Sequence, residues 1–152
     1  MVCDIMLCMT TIVLADNHPL IRRYLREILE TTPDLTLLGE TGDGSEVVDL
    51  VVRLQPDVLV LDIAMPGMNG LEITRRIAAR SLRTHVVICS SHRFEGYVLQ
   101  AMKNGASAYV AKDCSVDDLV PAIHKVTCGK RFLSPSLYDC IRSLNQTWFD
   151  VA

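Results

Sequence analysis

The sequence lacks the marks of several large protein classes. Its longest apolar runs are about five residues, far short of the roughly twenty that a membrane-spanning helix needs. Basic charge is not in excess: 15 Lys and Arg stand against 18 Asp and Glu, for a net charge of −3 and a pI near 5.7. No global positive field therefore draws the chain to nucleic acid. None of the six cysteines (Cys3, Cys8, Cys89, Cys114, Cys128, Cys140) shares a C-x-x-C spacing with another, which argues against a zinc or dithiol redox site. Met1–Thr10 has neither a basic start nor a long apolar core, so it is a poor signal peptide. Free thiols in a reducing cytoplasm are the expectation. Low complexity and internal repeats are absent too.

What is present is an ordinary globular mix, 49% apolar and 22% charged over 152 residues, enough for one domain. Strand-like and helix-like segments alternate five times. The runs 11–15, 35–39, 58–61, 85–89 and 108–111 are short and apolar, the pattern of strands buried on both faces. Between them, apolar residues recur at helical spacing, as at Ile21, Leu25, Ile28 and Leu29, or Val47, Leu50, Val51 and Leu54. Pro19 suits a first helical turn, Ser45 and Asn69 are candidate caps, and Asn104-Gly105 and Gly129 read as helix ends. The spacing predicts right-handed crossovers and a parallel sheet covered by helices on both sides. The expected fold class is thus α/β, a doubly wound five-stranded parallel sheet. In such folds ligands bind beyond the carboxyl ends of the strands.

Read at those ends, the chain offers Asp16-Asn17, then Asp62, then Ser90-Ser91, then Lys112. Each alone is unremarkable, as a turn residue, a cap or a solvated lysine. Together at one sheet edge they place two carboxylates, a hydroxyl and an ammonium in one crevice. Two close acids resist joint ionisation unless a cation lies between them. Oxygen ligands with open water positions suit Mg²⁺, and a lysine and a serine suit a phosphoryl group.

These residues resemble the receiver domain of two-component response regulators. The resemblance is carried by Leu14-Ala-Asp-Asn-His-Pro19, by Val60-Leu-Asp-Ile-Ala-Met-Pro-Gly-Met-Asn-Gly-Leu71, by Val87-Ile-Cys-Ser90 and by Gly105-Ala-Ser-Ala-Tyr-Val-Ala-Lys-Asp113. His18-Pro19, Lys112-Asp113 and Gly129-Lys-Arg-Phe-Leu-Ser-Pro135 are similar to the NarL/LuxR type. The resemblance implies a flavodoxin-like receiver over residues 11–133, preceded by an extension at 1–10. It implies that Asp62 is the phosphoacceptor, that Lys112 pairs with the phosphoryl charge and that Ser90 bonds a phosphoryl oxygen. Ser90 and Tyr109 would form the switch. Asp16, Asp62 and the backbone carbonyl of Ala64 would hold Mg²⁺ weakly, with Asn17 as a further oxygen donor. The implied partner is a sensor histidine kinase, the implied output is transcriptional, and a homodimer is a second implied partnership.

Three features depart from the family pattern. Asn17 stands where most members carry a second acid, which reduces the pocket's charge. Pro121 falls inside the last helix, so that the helix either kinks or begins near it. Only 19 residues follow Leu133, too few for a helix-turn-helix domain, so that direct DNA binding by this chain is not expected. The sequence leaves open whether the chain is an excised receiver or a natural single-domain form. Within residues 134–152, Ser134-Pro135 reads as a cap, and Leu137, Cys140, Ile141, Leu144 and Trp148 follow at helical spacing, one amphipathic linker helix.

Other readings compete. A flavodoxin-like cofactor binder wants a Ser/Thr/Gly-rich first loop, where this chain has Asp16-Asn-His-Pro19. A dehalogenase-type phosphohydrolase wants a second acid at position 64, where this chain has Ala64. A pseudo-receiver, which docks or dimerises without carrying phosphate, is the alternative that Asn17 leaves open.

Overall fold

The computed structural model describes residues 9–80 and 83–141. Six strands form one parallel sheet: β1 (Thr10–Ala15), β2 (Leu35–Thr41), β3 (Val58–Leu61), β4 (His85–Ser90), β5 (Ala108–Ala111) and β6 (Phe132–Leu133), in the order β2-β1-β3-β4-β5-β6. Five α-helices connect them: α1 (Pro19–Glu30), α2 (Gly44–Leu54), α3 (Gly70–Ala79), α4 (Glu95–Lys103) and α5 (Ser115–Thr127).

Alternation along the strands sorts the core into two layers. Val13 and Ala15 of β1 face one way and join Val47 and Val51 of α2, Ile73 and Ile77 of α3, and Val98 and Ala101 of α4. Ile12 and Leu14 face the other way and join Leu25 and Leu29 of α1, and Leu119, Ile123 and Val126 of α5. The doubly wound α/β architecture expected from the sequence is the one observed, with helices on both faces. Among the described residues no helix is long and apolar enough to cross a membrane.

Four local features differ from the sequence expectation. The sheet gains a sixth strand, the two-residue β6, paired with β5 through Ala108–Phe132 and Tyr109–Leu133; two residues are too few to show alternation. Asp43, not Ser45, caps α2: its carboxylate takes the Ser45 N–H at 2.9 Å, and the Ser45 hydroxyl bonds back at 2.7 Å. α5 is helical from Ser115 through Thr127 across Pro121. Pro121 is exposed, as is Asp117, the residue four earlier whose carbonyl loses its usual helical donor to the proline.

The fourth difference is the tail. Pro135–Cys140 is a 3₁₀ helix rather than the first turns of an α-helix, and Leu137 and Ile141 are buried in the same core layer as Tyr109. This stretch therefore packs against the receiver. Leu144 and Trp148, the remainder of the expected amphipathic helix, lie outside the described residues, as do residues 1–8.

Candidate functional site

The carboxyl ends of β1, β3, β4 and β5 converge, as α/β topology requires. Asp16 follows β1 directly, Asp62 follows β3, Ser90 ends β4 and Lys112 follows β5. All except Lys112 are buried, and the lysine side chain keeps only 16% of its surface exposed. Its Nζ stands 2.8 Å from Asp16 Oδ2 and 3.1 Å from Asp62 Oδ2. One ammonium thus bridges the two acids and relieves their mutual repulsion.

The electrostatics follow from burial. Burial pushes the Asp62 carboxyl up; the Lys112 charge opposes this and the Asp16 charge adds to it, leaving Asp62 above its ordinary value. Burial alone would lower Lys112, but contact with Asp16 and the two carboxylate charges outweigh it and hold the ammonium above its ordinary value. Below the site, burial pushes the Cys89 thiol up to about 12, so Cys89 is inert packing. Cys89, Cys114 and Cys128 are all free thiols.

Backbone contacts fix the rest. Asp16 Oδ1 accepts the His18 N–H at 2.9 Å, and the Asp16 carbonyl accepts Arg22 Nη1 at 2.6 Å. Asp62 Oδ1 accepts the Ala64 N–H at 3.4 Å. The loop after Asp62 returns on itself, since the Gly70 N–H donates to the Ile63 carbonyl at 2.8 Å. A Cβ at Gly70 would collide with the Asp62 carbonyl oxygen, and one at Gly44 with the Met68 carbonyl oxygen. Only glycine lets α3 start, and α2 approach, this close to the loop. Asn69 caps α3 by accepting the Glu72 N–H at 3.0 Å.

The Ser90 hydroxyl oxygen accepts the His92 N–H at 3.0 Å, and the same hydroxyl is hydrogen-bonded to the Tyr109 phenol. The Tyr109 ring is fully buried and its hydroxyl donates to the His92 carbonyl at 2.7 Å. Burial is the main reason its phenol is pushed up to about 12. Ser90 and Tyr109 thus hold the two faces of one residue in the β4–α4 loop. Asn17 and Ala64 lie at the exposed rim.

The oxygens at this edge suit a divalent cation. Asp16 Oδ2 is buried and, despite the nearby ammonium, has no hydrogen-bond partner among the described residues. Beside it stands a second buried carboxylate. Such oxygens fit a hard cation that takes oxygen ligands. Among the described residues no group of three or more acidic, histidine or cysteine side chains gathers to hold a metal.

Sequence reasoning missed two residues here. Arg93 reaches from the β4–α4 loop to Asp113 Oδ1 at 3.0 Å and to the Ser136 carbonyl at 3.2 Å. The Ser134 hydroxyl takes the Ala111 N–H at 2.9 Å and donates to Asp118 Oδ2 at 2.7 Å. Both contacts join segments distant in sequence, and no local motif announces either.

Known proteins resemble this chain in sequence and fold. The response regulator receiver domain family matches residues 12–124. The nitrate/nitrite response regulator NarL of Escherichia coli K12 is 38% identical over 127 residues, 84% of this chain and 59% of that protein. The transcriptional regulatory protein DegU of Brevibacillus brevis is 36% identical over 83% of this chain and 53% of that protein. The chain therefore spans a little over half the length of these relatives. Among solved structures, a LuxR-family two-component response regulator from Aurantimonas sp. SI85-9A1 superposes with a TM-score of 0.84 at 32% identity, covering 89% of this chain and 96% of that one. The receiver domain of the NarL response regulator of Mycobacterium tuberculosis gives 0.78 at 30% identity, covering 80% and 98%. The chain belongs to the response regulator receiver family, as a receiver of the NarL/LuxR type.

Proposed function

We propose that this receiver is a phosphoacceptor that takes a phosphoryl group onto Asp62 from a phosphohistidine of a sensor histidine kinase. The observation that carries the reading is the buried Asp16–Lys112–Asp62 bridge, with Ser90 at the end of the neighbouring strand. An Asp62 carboxylate oxygen attacks phosphorus, the phosphorus–nitrogen bond breaks, and the bonding pair stays on the leaving imidazole, which takes up a proton to end neutral. Lys112 offsets charge on the transferring group, and the Ser90 hydroxyl can turn from Tyr109 to a phosphoryl oxygen. The contribution of these residues is positioning and electrostatics. Mg²⁺, held by Asp16, Asp62 and the Ala64 carbonyl with Asn17 adding an amide oxygen, would supply positive charge to the phosphoryl oxygens.

The phosphoryl state then changes the Ser90–His92–Tyr109 contacts and, through them, a transcriptional output, in the cytoplasm. Turnover is limited to self-phosphorylation and self-dephosphorylation. The receiver itself does not read DNA. The arginines of α1 and α3 are paired with acids: Arg22 and Arg26 with Glu40, Arg23 with Glu27, and Arg75 and Arg76 with Glu72. The second reading, a phosphorylation-independent docking or dimerisation module, is favoured by Asn17 alone.

Acetyl phosphate with Mg²⁺ tests the proposal. One phosphate mass should appear on the intact protein and be lost in Asp62→Asn. Labelling that persists in the variant moves the acceptor elsewhere. A folded wild type that takes no label selects the docking module.

A further inference from the structure

The sheet ends in an unusual way at Ser134. This residue follows β6 and is fully buried. Its N–H donates to the Tyr109 carbonyl at 3.0 Å, an ordinary ladder bond. In a continuing parallel ladder, the Ala111 N–H would next donate to the Ser134 carbonyl. That carbonyl instead accepts the Leu137 N–H at 2.9 Å and opens the 3₁₀ helix. The Ser134 hydroxyl oxygen takes the vacated role, accepting the Ala111 N–H at 2.9 Å, while its proton goes to Asp118 Oδ2 of α5 at 2.7 Å. One side chain thus stops the sheet, starts the tail and ties both to a helix.

Ala111 is the residue before Lys112. Asp113, the residue after, is held by Arg93, which also grips the Ser136 carbonyl. The lysine that bridges the two acids is therefore flanked on both sides by contacts leading to residues 134–136. Without the Ser134 oxygen, the buried Ala111 N–H has no partner at its present position, and its peptide must shift or admit water.

We propose that Ser134 is a positioning residue for Lys112: its hydroxyl fixes the last peptide of β5 and so the placement of the ammonium between Asp16 and Asp62. For activity this rests on the phosphoacceptor reading; for geometry it stands alone. The residue acts through Ala111 and does not touch a phosphoryl group.

The test compares full-length Ser134→Ala, Ser134→Thr and Leu137→Ala at a temperature where circular dichroism shows each folded. Leu137→Ala loosens the same segment without touching Ala111. Ser134→Ala should slow Asp62 labelling by acetyl phosphate about tenfold, the scale of one ordinary hydrogen bond. Ser134→Thr, which keeps the hydroxyl, should restore the rate, and Leu137→Ala should leave it unchanged per folded molecule. NMR shifts of the Lys112 amide and side chain provide a readout independent of labelling. They should move in Ser134→Ala and return in Ser134→Thr. If Ser134→Ala does not fold, Asp118→Ala removes only the acceptor of the hydroxyl proton and should act in the same direction by less. Unmoved Lys112 signals, or a Leu137→Ala rate as slow as that of Ser134→Ala, overturn the proposal. If the wild type takes no label while Lys112 moves as expected, the positioning role stands and the phosphoacceptor reading falls.

Discussion

The Tyr109 hydroxyl donates to the carbonyl of His92 at 2.7 Å, and the N–H of that same residue donates to Ser90. The β4–α4 loop is therefore held at one residue from two directions. Any movement of Ser90 toward a phosphoryl oxygen strains a peptide that Tyr109 also grips. Tyr109→Phe keeps the buried ring and removes the hydroxyl that bonds the His92 carbonyl and Ser90. It should cost about 1 kcal/mol of stability, leave Asp62 labelling in place and change the pattern of NMR shifts that beryllofluoride induces in residues 91–94. A wild-type shift pattern in Tyr109→Phe would mean that Tyr109 plays no part in the switch.

The metal site should be weak and improvable. Asn17 offers an oxygen without charge at the pocket rim. Asn17→Asp adds a carboxylate near any cation held by Asp16 and Asp62. Even well screened, that is worth on the order of 1 kcal/mol, or about fivefold in Kd. Mg²⁺ titration followed by NMR or calorimetry should show the tightening. Equal or looser binding in Asn17→Asp would place the cation elsewhere.

Asp62 should make the apo protein less stable at neutral pH than at acid pH, so far as this one group is concerned. Burial raises its folded-state value above the ordinary 3.8. A group raised on folding contributes stability below its unfolded value and loses it as pH rises through its folded value. At neutral pH the ionised Asp62 therefore opposes folding. In EDTA, Asp62→Asn should melt higher than wild type at neutral pH, and the gap should close as pH falls toward 4. A variant that melts lower than wild type at neutral pH would show the Lys112 pairing to outweigh burial.

Residues 134–141 should behave as part of the receiver in stability measurements. Leu137 is fully buried, and Leu137→Ala should destabilise by about 2–5 kcal/mol, the ordinary range for a buried leucine. Urea unfolding followed by circular dichroism measures it. Truncation after Leu133 should destabilise by more, because it also removes Ile141 and the Ser134 bonds. A truncated chain as stable as the whole would contradict the packing.

The placement of Asp16, Asp62, Ser90 and Lys112 was legible in the sequence because each sits at the end of a short apolar run. Strand ends in a parallel sheet meet on one edge whatever the details of packing. Ser134 was legible only as Ser-Pro, the signature of a helix cap. In the structure it precedes a 3₁₀ helix but gives its hydroxyl to Ala111 and Asp118 instead of capping it, a choice set by the neighbouring strand. Leu137 and Ile141 read as one stripe of a free helix, since an i, i+4 spacing does not say which core the stripe meets. Asp43 displaced Ser45 as the cap by two residues, within the uncertainty of any helix start.

The short β6 bears on how copies of this chain can meet. An open strand edge is a template on which another chain can add a strand. Here that edge is two residues long and is followed by Ser134 and then Pro135, which has no N–H to offer, while the next donor of β5, the Ala111 N–H, is already taken by the Ser134 side chain. An edge this short offers little backbone for another chain to add a strand. Self-association on this flank is left to helix faces, whose side chains can be varied to set affinity without disturbing the backbone that carries Lys112.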